Sequence, residues 1–259
     1  MLIPISDANP TRRFPFVTVG LIVANVLAFL REPFSQGPSA LDRFFFEQAP
    51  IPCQLTDQCP AGAIQIAHDV VIHIPQRTLT SFLVAVVVST FLHANILHIA
   101  GNMLFLWVFG NNIEDHLGRV KYVFFYLVGG MVAAMAHILW AARDLPCTSE
   151  SFGGCIPAVG ASGAVAAVMG AYILLFPRAR VRVLVPVFIF FMIQLPAIAV
   201  LGLWFLYQFA IAAQEFTGAT EVAWMAHVGG FVFGLIGIYL LGGRPQAQPA
   251  PSWARESRY

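Results

Sequence analysis

Six apolar stretches of helical length recur along the 259-residue chain: residues 14 to 30, 92 to 111, 120 to 141, 160 to 176, 192 to 213 and 223 to 243. Each approaches or exceeds the roughly 20 residues that a helix needs to cross about 30 Å of hydrocarbon. The pattern predicts an all-α membrane protein, a bundle of six transmembrane helices with a long outer loop between the first and second. Two stretches resist simple counting. Residues 79 to 110 carry no Asp, Glu, Lys or Arg. At ~1.5 Å per residue they are too long for one perpendicular helix and too short for a hairpin of two, so 79 to 91 read as interfacial. In VLVPVFIFFMIQLPAIAVLGLWFLYQF, Pro186 and Pro196 each break or bend a helix, so the spanning part begins near Pro196 and the element before it stays unassigned.

Composition agrees with this reading, since 58% of the residues are hydrophobic and 10% charged, far from the balance of a soluble domain. A net charge of +1 with scattered cations gives no basic face for nucleic acid. The basic lead Arg12-Arg13 before the first apolar stretch raises a cleaved signal peptide as an alternative. No small-x-small cleavage site precedes Arg31, which favours a retained helix. With the N-terminus inside, Arg12, Arg13, Arg119, Lys121, Arg178, Arg180, Arg182, Arg244, Arg255 and Arg258 fall on the inner side, and Arg31, Arg43, Arg77 and Arg143 on the outer. That asymmetry satisfies the positive-inside rule. The expected layout is a cytoplasmic N-terminus (1–13), a six-helix membrane domain (14–243) and a cytoplasmic tail (244–259) whose Pro, Gln and charge content is that of a disordered segment. Cys53, Cys59, Cys147 and Cys155 then share the outer, oxidising side of what is expected to be a bacterial plasma membrane. Four cysteines allow three pairings, and the short separations favour the two local ones, with free thiols or a single bridge as the alternative.

The predicted spans contain no Asp or Glu, yet they hold His98, Asn102, His137, Ser162 and His227. Ionisable groups at membrane depth are costly and are functional candidates by default. Counting back from the inner ends of the second, fourth and sixth spans at ~1.5 Å per residue puts His98 roughly 18 Å, Ser162 roughly 21 Å and His227 roughly 22 Å up, close to one level. Small residues at four-residue spacing (Ser162, Ala166, Gly170 and Ala226, Gly230, Gly234) let the fourth and sixth helices approach closely. A serine hydroxyl becomes a nucleophile when an imidazole accepts its proton, and the imidazole can then protonate the leaving amine. With no carboxylate in the spans, Ser162 and His227 would work as a dyad. His98 and Asn102, on one helix face, and the Ser162 backbone N–H are candidate oxyanion donors. The bland readings are a serine bonded back to its own helix, a packed histidine and an asparagine that only joins helices. Metal catalysis is disfavoured. His93 and His98 lie about 140° apart around a helix, and no HExxH occurs.

The segments HANILHIAGNMLFLWVFGNNIED at 93–115, GASG at 160–163 and AHVGGFVFG at 226–234 resemble, in order and spacing, those of the rhomboid family of intramembrane serine proteases. The resemblance implies Ser162 as nucleophile, His227 as general base, and His98 with Asn102 as the oxyanion-stabilising pair. It also implies supporting roles for His93, Gly160 and Gly163, and a turn after the second span marked by Glu114 and Gly118. It implies no cofactor and no metal. The implied partners are transmembrane protein substrates and membrane lipid, with cleavage near the outer face at small residues in helices that unwind easily. The chain departs from the Trp-Arg that family members often carry before these histidines, having LVAVVVSTFLH there, with Arg77 too far upstream to match. An outward-facing hydrophilic pocket ringed by His98, Asn102, Ser162 and His227 is expected, because hydrolysis needs water. A catalytically silent rhomboid-like binder of transmembrane partners is the alternative. A transporter is a weaker third, for want of an inverted repeat of broken helices.

Overall fold

The computed structural model describes residues 2–56, 59–60, 63–67, 70–144, 147, 153–187, 189–215 and 223–242. Most of them are helical: α1 (Phe16–Phe29), α2 (Pro38–Gln48), α3 (Leu79–Ser89), α4 (Ile96–Leu117), α5 (Arg119–Asp144), α6 (Ser162–Leu175), α7 (Ala197–Glu215) and α8 (Trp224–Leu240). Among the described residues, three segments are long and apolar enough to cross a membrane, namely Phe16–Gln36, Ile96–Leu117 and Arg119–Arg143. Helices α3, α6 and α8 and the Ala197–Ala210 part of α7 are apolar but shorter. The stretch 79–91, expected to be interfacial, is largely α3. The expected tail 244–259, with Arg244, Arg255 and Arg258, lies outside the described residues.

Five strands correct the all-α expectation. Strands β1 (Ile3–Asp7), β4 (Arg180–Val187) and β5 (Ile189–Pro196) form an antiparallel sheet in the order β1-β4-β5, and β2 (Ala63–Ala67) pairs with β3 (Val70–His73) between α2 and α3. The reason lies in RVRV: alternation with period two and β-branched residues turns Val181 and Val183 into the core and leaves Arg180 and Arg182 exposed. Residues 192 to 195, counted above with a helix, belong to β5, where Val183 pairs with Ile193 and Arg182 with Gln194. Pro196 ends the strand, and α7 starts at Ala197.

Helix α6 sits at the centre, in contact with α4, α5, α7 and α8, and every residue from Gly163 to Tyr172 is buried. Its contact with α8 is backbone on backbone. A Cβ built on Gly230 would lie 2.1 Å from the Gly163 carbonyl oxygen, one on Gly234 2.0 Å from that of Ala167, and one on Gly170 2.1 Å from that of Phe231. The α6 seam is therefore Gly163, Ala167 and Gly170, one residue round from the expected Ser162–Ala166–Gly170 stripe. The shift leaves Ser162 at the edge of the seam, half-buried.

The far ends of these helices are tied by carboxylates. Pro15 gives α1 no side-chain cap. Glu114, near the end of α4, takes that role by accepting from the Val17 N–H (3.0 Å), the Thr18 N–H (2.8 Å) and the Thr18 hydroxyl (2.8 Å). A carboxylate is well suited to the unpaired amides and positive end of a helix N-terminus. Gly118, at φ +76°, then reverses the chain into α5. Asp7 at the end of β1 accepts from the Tyr172 hydroxyl (2.5 Å) and the Asn112 amide (2.9 Å), joining the sheet to α6 and α4.

At the opposite face both local cysteine pairings form, Cys53–Cys59 and Cys147–Cys155. Arg77 donates to the carbonyls of Glu47 (2.5 Å) and Ala49 (3.3 Å), so it pins the loop to the end of α2.

Gly234→Ala is expected to lower the thermal unfolding midpoint, because the Ala167 carbonyl cannot yield without parting the helices; overpacking of this kind costs roughly 1–3 kcal/mol. Gly20→Ala on α1, where nothing lies within 4 Å of the new methyl, is expected to leave the midpoint unchanged or raise it. Equal midpoints for the two variants would contradict the backbone seam.

Burial pushes the Asp7 carboxyl up from 3.8 to about 6, against the Tyr172 and Asn112 donors that favour its ionised form. A raised folded-state value means stability that is complete below the unfolded value and lost as pH rises through the folded one. The unfolding midpoint should therefore fall as pH climbs through about 6, and Asp7→Asn should flatten that part of the profile. An identical profile in the variant would show that Asp7 does not titrate there.

Candidate active site

Three helix beginnings meet at the cysteine-bearing end of the bundle. Ser162 is the first residue of α6, His98 the third of α4 and His227 the fourth of α8. Each candidate therefore stands in a first helical turn, where backbone N–H groups lack intrahelical acceptors and the helix dipole is positive. The local sequence explains each start. Asn95 caps α4 by accepting from the His98 N–H at 2.9 Å. Gly160, at φ +126°, makes the turn into α6 in a conformation that side chains rarely adopt, and its N–H donates to the Ser89 carbonyl at 2.9 Å.

That turn brings His98 to Ser162. A Cβ on Gly160 would fall 2.9 Å from His98 Nε2 and 3.6 Å from Ser162 Oγ, so only glycine leaves room for the imidazole beside the hydroxyl. The α6–α8 seam sets His227 at the same end. Gly163, next to Ser162, approaches the carbonyl of Ala226, next to His227, and would meet it at 3.6 Å if it carried a Cβ. Among the described residues the Ser162 hydroxyl makes no hydrogen bond. It is bonded neither to its own helix nor to His227, whose Nδ1 faces Gln208.

Asn102 lies one turn below His98 and is 7% exposed, and its Nδ2 is buried with no acceptor among the described residues. An amide donor left in this way loses its hydration without recompense, unless a bound group accepts from it. His98, Ser162 and His227 are half-buried, while Asn102, the fourth residue expected to ring the hollow, is buried. A separate small pocket between Arg13, Pro15, Glu114 and Arg119 lies at the other end of α4.

His93 is fully buried ahead of α4. Its N–H donates to Glu32 Oε1 at 2.9 Å, and its ring meets that of His98 edge-on at 5.2 Å. Gly163 is seated against α5, where a Cβ built on it would lie 2.5 Å from the Ala133 methyl. His137 stands on α5 with its ring 6.0 Å from that of Trp140. Two residues absent from the sequence reading adjoin His227, both from α7. Its Nδ1 lies 2.6 Å from Gln208 Oε1, and its ring is 5.5 Å from that of Trp204. An amide within an otherwise apolar helix was the available signal for Gln208. Among the described residues no cluster of three or more His, Cys, Asp or Glu could hold a metal ion.

Residues 81–244 match the family model of the Rhomboid domain, from α3 past the end of α8. The chain is 31% identical over 105 residues to Presenilin-associated rhomboid-like protein A, mitochondrial, of Danio rerio, covering 40% of this chain and 25% of the relative. It is 29% identical over 150 residues to RHOMBOID-like protein 12, mitochondrial, of Arabidopsis thaliana, covering 56% and 42%. Rhomboid protein 1, mitochondrial, of Saccharomyces cerevisiae is 28% identical over 110 residues, covering 42% and 30%. The matched part thus spans well under half the length of these relatives. All three relatives are named as mitochondrial, which overturns the expectation of a bacterial plasma membrane. The physical reason for the error is that arginine asymmetry reports which side of a membrane a loop occupies, not which membrane it is. Matched over more than half its length by the family model, the chain belongs to the rhomboid family.

Proposed function

We propose that this protein is an intramembrane serine endopeptidase that cuts transmembrane proteins near the cysteine-bearing face of the membrane, with α1 and α4 to α8 as six spans. The observation that carries the proposal is the meeting of Ser162, His98 and the first turn of α8 around Gly160 and the Gly163–Gly230 contact. At ~1.5 Å per residue, the 14 residues of α6 and 17 of α8 cover less than about 30 Å of hydrocarbon. Their starts then lie below the membrane surface, at the depth of a substrate helix.

His227 takes the Ser162 proton as Oγ attacks the scissile carbonyl. Negative charge gathers on the carbonyl oxygen, and three donors are on hand: Asn102 Nδ2, His98 and the first-turn N–H of Ser162. His227 then protonates the leaving amine, which departs with one half of the substrate. Water, deprotonated by the same imidazole, releases the acyl group and restores the serine. The unsatisfied Asn102 amide supports the oxyanion role, since its missing partner is what the transition state would supply.

Purified protein in liposomes with a labelled transmembrane substrate tests the proposal. Ser162→Ala should reduce cleavage to background while keeping the wild-type unfolding midpoint, and a chelator should leave the wild type active. Cleavage by the alanine variant would overturn the mechanism. Stable substrate binding without cleavage by the wild type would favour the silent binder.

Asn102→Ala should lower kcat by ~10²-fold to 10³-fold, the usual effect of losing one oxyanion donor, with KM little changed. An unaltered kcat would remove Asn102 from the site.

A further inference from the structure

A dyad leaves one matter open: which nitrogen of the imidazole carries the proton. The base must face serine with a bare nitrogen, and a neutral imidazole has only one. In this chain the choice is made by α7. Gln208 is 2% exposed, and both ends of its side-chain amide are engaged. Its Nε2 donates to the Trp204 carbonyl at 3.1 Å, and its Oε1 lies 2.6 Å from His227 Nδ1.

The orientation of the amide follows from its partners. A carbonyl can only accept, so the Trp204 oxygen must receive the NH2 group; the reverse orientation would set two oxygens against each other. Oε1 is then the atom left for His227. An amide oxygen can only accept as well, so Nδ1 must donate. The proton sits on Nδ1, and the lone pair is on Nε2. The Trp204 ring, 5.5 Å from the imidazole at 46°, limits how far the ring can tilt away from this bond.

We propose that Gln208 is a positioning residue that locks His227 in the Nδ1–H tautomer and so leaves Nε2 free to serve as the base toward Ser162. The inference rests on the proteolytic reading of that pair. In soluble serine proteases a carboxylate orients the imidazole in this way and also stabilises the imidazolium. A carboxylate at membrane depth is costly. A neutral amide fixes the tautomer without adding a charge, at the sacrifice of some imidazolium stabilisation. It also makes the base depend on α7, whose Leu203, Leu206 and Phe209 are exposed on the outside of the bundle. Any displacement of α7 would release the lock.

The test joins a spectroscopic reading with kinetics on the full chain in liposomes. Histidine labelled with ¹⁵N, with His227 assigned by loss of its signals in His227→Asn, should show a protonated Nδ1 and a bare Nε2 in the wild type. Gln208→Leu keeps much of the volume and removes the acceptor. It should abolish the preference for the Nδ1–H form and lower kcat by ~10²-fold or more, by analogy with the loss of tautomer control in a triad, while KM and the unfolding midpoint stay near wild type. Gln208→Glu retains an acceptor and should keep the Nδ1–H form and much of the activity.

A wild-type His227 protonated at Nε2 overturns the proposal without any variant, so a Gln208→Leu protein that fails to fold does not shield it. Full kcat in Gln208→Leu, with Ser162→Ala inactive, overturns the role of Gln208 alone. Cleavage by Ser162→Ala removes the dyad and this proposal together.

Discussion

The carbonyl oxygens of Gly163, Ala167 and Phe231 occupy positions where side chains would ordinarily hold α6 and α8 apart. Helices in lipid gain nothing from hiding apolar surface, since the surroundings are as apolar as they are; close van der Waals contact has to hold them together. Glycine permits that contact here, and the contact sets the relative height of the two helices. Ser162 and His227 stand in the first turns of helices locked in register. A slip of one residue would turn the hydroxyl about 100° around α6, away from its neighbours.

Charge is distributed with the same economy. Glu114 and Asp7 lie where helices and strands end, and each accepts from several donors. The site itself is built from a hydroxyl, imidazoles and amides. Ser162, His98, Asn102 and His227 bring no carboxylate, although buried Glu32 accepts from the N–H of neighbouring His93; under the proposed mechanism, donors such as Asn102 Nδ2 would be completed by the charge that develops during reaction. Two disulfides brace the loops at that end of the molecule.

Much of this was legible in the chain before any coordinates. Rise per residue is constant in a helix, so counting from the inner ends was enough to put His98, Ser162 and His227 near one level. Pro196 announced the start of α7, and short separations favoured the two disulfides that form. The hairpin of β4 and β5 was hidden because hydropathy does not distinguish an apolar strand from an apolar helix, and only RVRV carried the period of two. Several small positions on α6 fit a four-residue spacing, and only the facing helix selects Gly163, Ala167 and Gly170 among them. Gln208 is silent in the sequence because an amide in an apolar run has no partner until α7 and α8 are folded together.

The most direct measurement is a structure determined after reaction with a fluorophosphonate, whose phosphoryl group imitates the tetrahedral intermediate. The expected result is a single adduct on Ser162 Oγ, with a phosphoryl oxygen within about 3 Å of Asn102 Nδ2 and His227 beside the bond. An unmodified Ser162, or an adduct whose oxygen points away from both Asn102 and His98, would contradict the assignment of this cluster as a catalytic site.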